Sequence, residues 1–372
     1  MKVVVTGAEG FLGWHTRVRL HALSPDWTVV GVGRSNWASL TTHLEGADAV
    51  IHIAGINRAT DAEVSQGNVA LAEELVAATR TAGIDPVVAY ANSTQAGNGT
   101  PYGLGKQAAA DVMRAAYGER FTDVVLPNLF GEHGRPGYNS FVATFAHDAV
   151  AGKRPAQLAD RPIRLLHAQA AAQVLLDAIE SPGGRVEPAG VETTVAQVWN
   201  TFERYATTYL TTGDIPSFTG AGGDDLMDAS FGRDLFNTLR AAAWPGSSPI
   251  SLVPRADDRG RLVETVRCHG AGGQTFVSTT KPGVTRGEHF HLRKIERFAV
   301  VAGEAEIALR RTLTDEVVAF QVSGDEPVAI DMPTMWTHNI TATGSGVVTT
   351  LFWTNELFDP DHPDTYWEKV RG

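Results

Sequence analysis

Three groups of residues in this 372-residue chain have the types and spacing to do chemistry. In Pro101-Tyr102-Gly-Leu-Gly-Lys106 a phenol and an ammonium stand four positions apart, one turn along one face of a helix. A lysine held there lowers the phenol pKa by charge proximity, so Tyr102 can exchange a proton with a substrate oxygen near neutral pH. Ser93, in Asn92-Ser-Thr-Gln95, can hold the same oxygen. Near the amino terminus, Gly7-Ala-Glu-Gly10-Phe11-Leu12-Gly13 follows the β-branched run Lys2–Val5 directly. Its first glycine permits a tight turn and its second lets backbone approach a pyrophosphate. The third lets helix and strand pack closely, and the helix N-terminus faces the phosphates. Near the carboxy terminus, His289 and His291 alternate as they do on one face of a strand, and Glu296 returns on the next strand. With His338 from a later hairpin they make three imidazoles and a carboxylate. That set suits Zn²⁺ or another divalent transition metal.

The adenosine end of a dinucleotide site is read at the close of the second strand. There the chain has Gly31-Val-Gly-Arg34-Ser-Asn36, with no carboxylate. A basic residue at that place favours a ribose 2′-phosphate, so Arg34 points to NADPH. Asp48 and Ala54-Gly55 are expected beside the adenine and the cofactor backbone.

The elements that must position these residues differ between the two parts of the chain. Before Ala243, short runs (Thr28–Val32, Ala49–Ile53, Val87–Ala91, Asp123–Leu126) alternate with alanine-rich helical stretches (Phe11–Ala22, Ala62–Ala82, Gly103–Ala116). Such alternation means βαβ units and a parallel sheet covered on both faces. Trp244-Pro-Gly-Ser-Ser-Pro249 reads as a linker. Beyond it, short strands such as Arg297–Val301 and Val347–Trp353 predict a sandwich or small barrel. The expected domains are therefore 1–243, α/β and doubly wound, and 244–372, all-β. A net charge of −11 without basic runs argues against nucleic acid or an anionic membrane as partner. One cysteine, Cys268, leaves no disulfide to form within the chain, and no run is long enough to span a membrane. No secretory leader is visible at the start, and a cytoplasmic protein is the expectation.

Residues 1 to about 240 resemble an extended short-chain dehydrogenase/reductase of the nucleotide-sugar type, a Rossmann-type fold. The resemblance rests on Gly7/Gly10/Gly13, Ala47-Asp48-Ala-Val-Ile-His-Ile-Ala-Gly55, Ser93, Tyr102/Lys106 and Pro127-Asn128-Leu-Phe-Gly131. It implies cofactor contacts from Phe11 and Leu12 and places Asn128 beside the sugar nucleotide. Gly283 to Gly303 resembles the first motif of the cupin β-barrels. His338 stands in the second motif, where Met335 replaces the usual glycine. Asp257-Asp-Arg259-Gly260 and Lys281-Pro-Gly-Val-Thr-Arg286-Gly287 are similar to the keto-sugar 3,5-epimerases. That branch implies diphosphate-holding arginines, here Arg259 and Arg286, and makes His289 either the base or a metal ligand; Lys281 is then a candidate base. Over its full length the chain resembles the bifunctional capsular-polysaccharide enzymes of the UDP-N-acetyl-L-fucosamine route. The resemblance implies C3 epimerisation of a UDP-4-keto-6-deoxy sugar by the cupin, NADPH-dependent reduction at C4, and a homodimer built through the cupin. The alternatives are a 4-keto-sugar reductase with a purely structural or dimerising cupin, and a non-catalytic sensor of NADPH and sugar.

Overall fold

The computed structural model describes residues 1–220, 227–270 and 272–372. Its first elements are β1 (Lys2–Thr6), α1 (Phe11–Leu23), β2 (Thr28–Val32), α2 (Leu40–Leu44), β3 (Ala49–His52), α3 (Asp61–Thr81), β4 (Val87–Ser93), α4 (Pro101–Tyr117) and β5 (Phe121–Leu126). Next come β6 (Asn128–Phe130), α5 (Phe141–Val150), β7 (Pro162–His167), α6 (Ala168–Glu180), β8 (Arg185–Val186), β9 (Val191–Thr194), α7 (Val195–Thr212) and α8 (Ala229–Ala243). Only strands follow: β10 (Ile250–Ser251), β11 (Arg255–Asp257), β12 (Gly260–Leu262), β13 (Gln274–Thr280), β14 (Thr285–Phe290) and β15 (Glu296–Ala302). The last are β16 (Glu304–Arg311), β17 (Val317–Ser323), β18 (Val328–Met332), β19 (Trp336–Ala342), β20 (Val348–Thr354) and β21 (Tyr366–Trp367). Among the described residues no helix is long and apolar enough to cross a membrane.

The chain divides into two units, Met1–Phe130 with Ile163–Thr193, and Gly131–Pro162 with Thr194–Gly372. In the first, six parallel strands take the order β2-β1-β3-β4-β5-β8. Their β-branched residues are buried on both faces, against Leu75, Ala109 and Met113 of α3 and α4 on one side and Leu175 and Leu176 of α6 on the other. Chain order reverses between β1 and β3, and the crevice beyond the carboxyl ends of strands at such a point is where ligands bind. The helix that carries the Tyr–Lys pair is fixed firmly. Thr100 caps α4 by accepting the Gly103 N–H (3.1 Å), with Pro101 in its first turn. A Cβ on Gly105 would stand 2.7 Å from the Ser65 carbonyl oxygen, so only glycine lets α4 lie this close to α3.

The second unit holds two five-stranded antiparallel sheets, β10-β18-β15-β20-β13 and β17-β16-β19-β14-β21. Phe298, Ile330 and Phe352 of one and Ile307, Trp336 and Ile340 of the other share a core, giving the expected cupin-like barrel. The helices α5, α7 and α8 belong to this unit as well. Arg297 pairs with Asp331 through two bonds (2.6 and 2.8 Å) and donates to the Gly213 carbonyl after α7 (2.7 Å). Arg240 of α8 donates to the Met332 carbonyl (2.6 Å). The compact division therefore differs from the boundary expected at 243/244, because these buried polar ties and the apolar faces of the helices close on the barrel. Nor is the Trp244–Pro249 segment a free linker at its start. The Trp244 ring packs on Phe320 and Trp336, with centroids 5.8 and 5.5 Å away.

Candidate functional sites

The glycine turn has the shape a dinucleotide needs. Gly7 sits at φ +68°, where a Cβ would lie 2.7 Å from the Ala54 amide nitrogen, and a Cβ on Gly13 would lie 2.1 Å from the Gly7 carbonyl oxygen. Gly10 is the N-cap of α1 and makes no side-chain cap bond, which leaves the first helical N–H groups for an anion. Phe11 and Leu12 open that helix, with Leu12 turned into the sheet core. Gly55 follows β3 beside Asn68, which ties the loop by bonds to both backbone groups of Ile56 (3.1 and 2.7 Å). Arg34 is exposed just past β2. Asp48 is a correction: it stands at the start of β3 and takes the backbone N–H of Lys2 (2.7 Å), at the amino-terminal edge of the sheet. The turn lies at the carboxyl edge, so Asp48 cannot touch adenine there. A carboxylate that the sequence reading passed over does reach the end of β2: Glu9 Oε1 lies 3.0 Å from the Ser35 hydroxyl.

Ser93, Tyr102 and Lys106 come together beside this turn, at the end of β4 and the first turns of α4. Ser93 shares a hydrogen bond with the Tyr102 phenol. Its own backbone N–H donates to Asn92 Oδ1 (2.8 Å), and Asn92 Nδ2 donates to the buried Asp123 (2.7 Å). Lys106 is buried, donates to the Ala91 carbonyl (2.6 Å) and lies 4.1 Å from the centroid of the Tyr90 ring. Burial pushes its pKa down to about 7, with Asp123 pulling the other way. The phenol moves opposite to expectation. Burial raises the Tyr102 pKa, and the Ser93 bond offsets that only in part. The reason is that Lys106 is turned to Ala91 and Tyr90, in a pocket that desolvates both groups. His52, also unanticipated, stacks on Tyr90 and bonds Thr6 Oγ1 through Nδ1 (2.9 Å). Burial first, then the Lys106 charge, press its pKa down to about 3. A histidine within the buried run Ala49–Ile53 was the available signal.

In the second unit His289, His291, Glu296 and His338 converge, with their ligand atoms all within 4.8 Å of one another. Glu296 Oε2 lies 3.2 Å from Nε2 of His291 and of His338 and 3.9 Å from that of His289. A tetrahedral zinc with bonds of about 2.0–2.1 Å sets its ligand atoms about 3.3 Å apart. The outer partners fix the tautomers. His291 Nδ1 meets the Asp364 carbonyl (2.6 Å) and His338 Nδ1 the Trp336 carbonyl (3.1 Å). A carbonyl only accepts, so each Nδ1 carries the proton and each Nε2 presents a lone pair. Lone pairs facing a carboxylate oxygen at this spacing suit a cation between them, and the donor set fits a divalent metal. Burial would raise the Glu296 pKa, but the three histidines around its carboxylate outweigh that and hold it well below the usual range. Burial presses His338 down to about 4. A bulge between Gly287 and His289 re-aims the first ligand, and Met335 takes φ +60° where glycine is usual, donating its N–H to the His291 carbonyl (2.7 Å).

The other anticipated residues are not gathered here. Lys281 lies exposed in the turn before β14, next to the Ala342 end of β19, whereas His289 pairs with His338. Four strand residues separate the two places, about 13 Å. Arg259 points to solvent from the β11–β12 hairpin and pairs with Asp257 (2.5 Å). Arg286 is exposed on β14, and Asn128 is exposed at the start of β6 in the first unit.

Residues 3–185 match the NAD dependent epimerase/dehydratase family, and residues 255–366 match the polysaccharide biosynthesis C-terminal domain. A Pseudomonas aeruginosa protein described as UDP-2-acetamido-2,6-beta-L-arabino-hexul-4-ose reductase is 31% identical over 378 residues, covering 98% of each chain. The Bacillus subtilis spore coat polysaccharide biosynthesis protein SpsL is 26% identical over 122 residues, 30% of this chain and 81% of its own. Among solved structures, the capsular polysaccharide assembling protein CapF from Staphylococcus aureus matches over 100% of both chains, at 30% identity and a TM-score of 0.62.

Proposed function

The chain belongs to the UDP-2-acetamido-2,6-beta-L-arabino-hexul-4-ose reductase family, and from that premise we propose that it is a two-step nucleotide-sugar enzyme of capsular polysaccharide synthesis. The β half inverts C3 of UDP-2-acetamido-2,6-dideoxy-β-L-arabino-hex-4-ulose, whose C4 ketone acidifies the C3 proton. The α/β half then reduces C4 to give UDP-2-acetamido-2,6-dideoxy-L-talose. The observation that carries the reading is one chain holding both a Ser93–Tyr102 proton-donor pair beside a dinucleotide turn and a converging three-histidine, one-carboxylate cluster.

A reduced nicotinamide dinucleotide held by Gly7, Gly10 and Gly13 supplies hydride, and Arg34 by itself favours the 2′-phosphorylated form, NADPH. Ser93 and Tyr102 hold the C4 oxygen. A phenol whose pKa burial has raised keeps its proton until an alkoxide, a far stronger base, forms beside it. Tyr102 then gives up that proton, and Lys106 one turn away, whose pKa burial pushes down to about 7, in its protonated form stabilises the phenolate left behind. A divalent metal, zinc being the best match to the donors, supplies Lewis-acid polarisation in the β half. There Glu296 stays ionised, while Asp364 and the Trp336 carbonyl hold two imidazoles in the ligating tautomer. Pairing of two copies through the β half is proposed with it, supported by the edge strand β13 and its exposed Phe276 and Val277. A cytoplasmic location follows from the substrate and cofactor class.

The test is deuterium incorporation at C3 in heavy water without dinucleotide, followed by NMR of the product once NADPH or NADH is added. Exchange that chelation abolishes and zinc restores supports both steps. Reduction without exchange would favour the second reading, a reductase with a structural β half, which the reductase description of the P. aeruginosa relative favours. Full hydride transfer by Tyr102→Phe would remove the assigned proton donor.

A further inference from the structure

Glu9 stands between the first two glycines of the turn, and the fold carries its carboxylate over the end of β2. Oε1 meets the Ser35 hydroxyl at 3.0 Å. A Cβ on Gly33 would stand within 2.4–2.7 Å of the Glu9 carboxyl atoms, so the strand end is cleared for this group by glycine. The turn beneath is held by Asn36. Its Oδ1 accepts the Gly33 N–H (2.8 Å) and its Nδ2 donates to the Gly31 carbonyl (3.1 Å). Arg17 of α1 runs under Gly31, and Glu9 is the charge that offsets the burial of its guanidinium.

We propose that Glu9, rather than Arg34, sets the choice of nicotinamide cofactor. Its carboxylate takes the place of the ribose 2′-hydroxyl acceptor, and the protein binds NADH in preference to NADPH. The inference rests on the reductase reading and deepens it. A ribose 2′-hydroxyl is a donor, and a carboxylate beside it is the acceptor that dinucleotide folds use at the end of the second strand. Usually that acid comes from the strand end itself; here it arrives from the glycine turn. A 2′-phosphate would bring its negative charge against the Glu9 carboxylate, which is already tied to Ser35. Arg34 is an exposed side chain whose attraction for a phosphate is screened by solvent.

Equilibrium binding of NADH and of NADPH to the purified full chain, read by nicotinamide fluorescence without sugar, tests this. For exposed charges the expected preference for NADH is up to about fivefold in Kd. Glu9→Gln, of the same shape, should erase most of that ratio, chiefly by tightening NADPH. Glu9→Lys should invert it, and Arg34→Ala should move it less than Glu9→Gln does. Tighter binding of NADPH by the wild-type chain, or a ratio that Glu9→Gln leaves unmoved, overturns the assignment while leaving the reductase reading intact. Binding of neither dinucleotide overturns both.

Discussion

Asp364 joins the carboxy-terminal segment to the metal-site strands, and replacing it should show how far the ligands depend on that tie. Its carboxylate accepts the backbone N–H groups of Leu292 (3.1 Å), Arg293 (3.0 Å) and Lys294 (2.8 Å), the three residues after His291. Its carbonyl takes the His291 Nδ1 proton at 2.6 Å, and the residue is 3% exposed at φ +43°. Asp364→Ala removes three charge-assisted acceptors, each worth about 1.5–3 kcal/mol to a buried donor. Leu292 and Lys294 are buried and Arg293 is half-exposed, so water can replace one of the three. Two lost bonds then give about 3–6 kcal/mol, reduced to about 3 kcal/mol if the segment relaxes. Outer-sphere partners of a ligating histidine are typically worth 10–100-fold in metal affinity. The expected result for Asp364→Ala is therefore a zinc Kd about 10–100 times weaker, by competition with a chromophoric chelator, and a lower melting temperature in the metal-free protein. Asp364→Asn keeps one acceptor oxygen and should fall between. Wild-type zinc affinity in Asp364→Ala, alongside the lost stability, would show that His291 is oriented without this segment and would refute the reasoning.

Gly13→Ala places a methyl 2.1 Å from the Gly7 carbonyl oxygen and 2.9 Å from Ala8 Cα, both backbone atoms that cannot swing aside. It should cost about 1–3 kcal/mol in a denaturant melt and abolish dinucleotide binding in a fluorescence titration. Asp331→Asn leaves the Arg297 cation, 3% exposed, without its carboxylate and should destabilise the protein by about 3–5 kcal/mol. The double variant with Arg297→Met should recover much of that loss. His52 gives a pH dependence whose sign is set by its lowered pKa. With about 3 folded against 6.5 unfolded, only the unfolded chain takes up this proton between those values. The stability it contributes is whole above pH 6.5 and is lost as pH falls toward 3, by about 2 kcal/mol between pH 7 and pH 5. His52→Gln should flatten urea melts compared at those two pH values, and an unchanged slope would assign the acid sensitivity to other groups.

What the sequence made legible is local in the chain. Gly7, Gly10 and Gly13 sit within one strand–helix turn, and Tyr102 and Lys106 within one helical turn, so period alone places them together. Three members of the His–Glu cluster are legible for the same reason, His289 and His291 being two apart and Glu296 one hairpin away, while His338 joins them from 42 positions beyond Glu296. What escaped was whatever depended on distant chain or on degree of burial. Asp48 and Lys281 were assigned from their neighbours in sequence, but strand direction sets each at the opposite end from its supposed partners. Glu9 meets Ser35 across 26 positions, and Asp364 meets Leu292 across 72. The amphipathic periods of α5, α7 and α8 say that each buries a face but not against what, so a compact division that groups them with the barrel strands is not readable from the sequence. The sign of the Tyr102 shift was missed because spacing reveals proximity to Lys106 and says nothing of how dry the pocket is.

The two units handle buried ionisable groups in opposite ways, and the difference matches the chemistry proposed for each. In the first, Lys106 and His52 are buried with weak compensation, and desolvation dominates, drawing both toward the neutral form. The Tyr102 phenol is held neutral by the same cause. Neutral acids and bases of that kind suit proton delivery to an oxygen that gains charge only during reaction, since no fixed ion pair must be broken first. In the second unit burial is answered by opposite charge or by convergent donors: Arg297 against Asp331, and three imidazoles around Glu296. The three histidines hold the Glu296 carboxylate ionised in a dry place, and the set fits a cation at its centre. Abstraction of a carbon-bound proton beside a ketone needs that kind of permanent electrophile, because carbon offers no hydrogen bond to share the developing charge. A structural barrel would have no need of three imidazoles around a buried carboxylate, because apolar residues of similar volume would stabilise it as well. The His–Glu cluster therefore supports the metal-assisted step proposed for the β half.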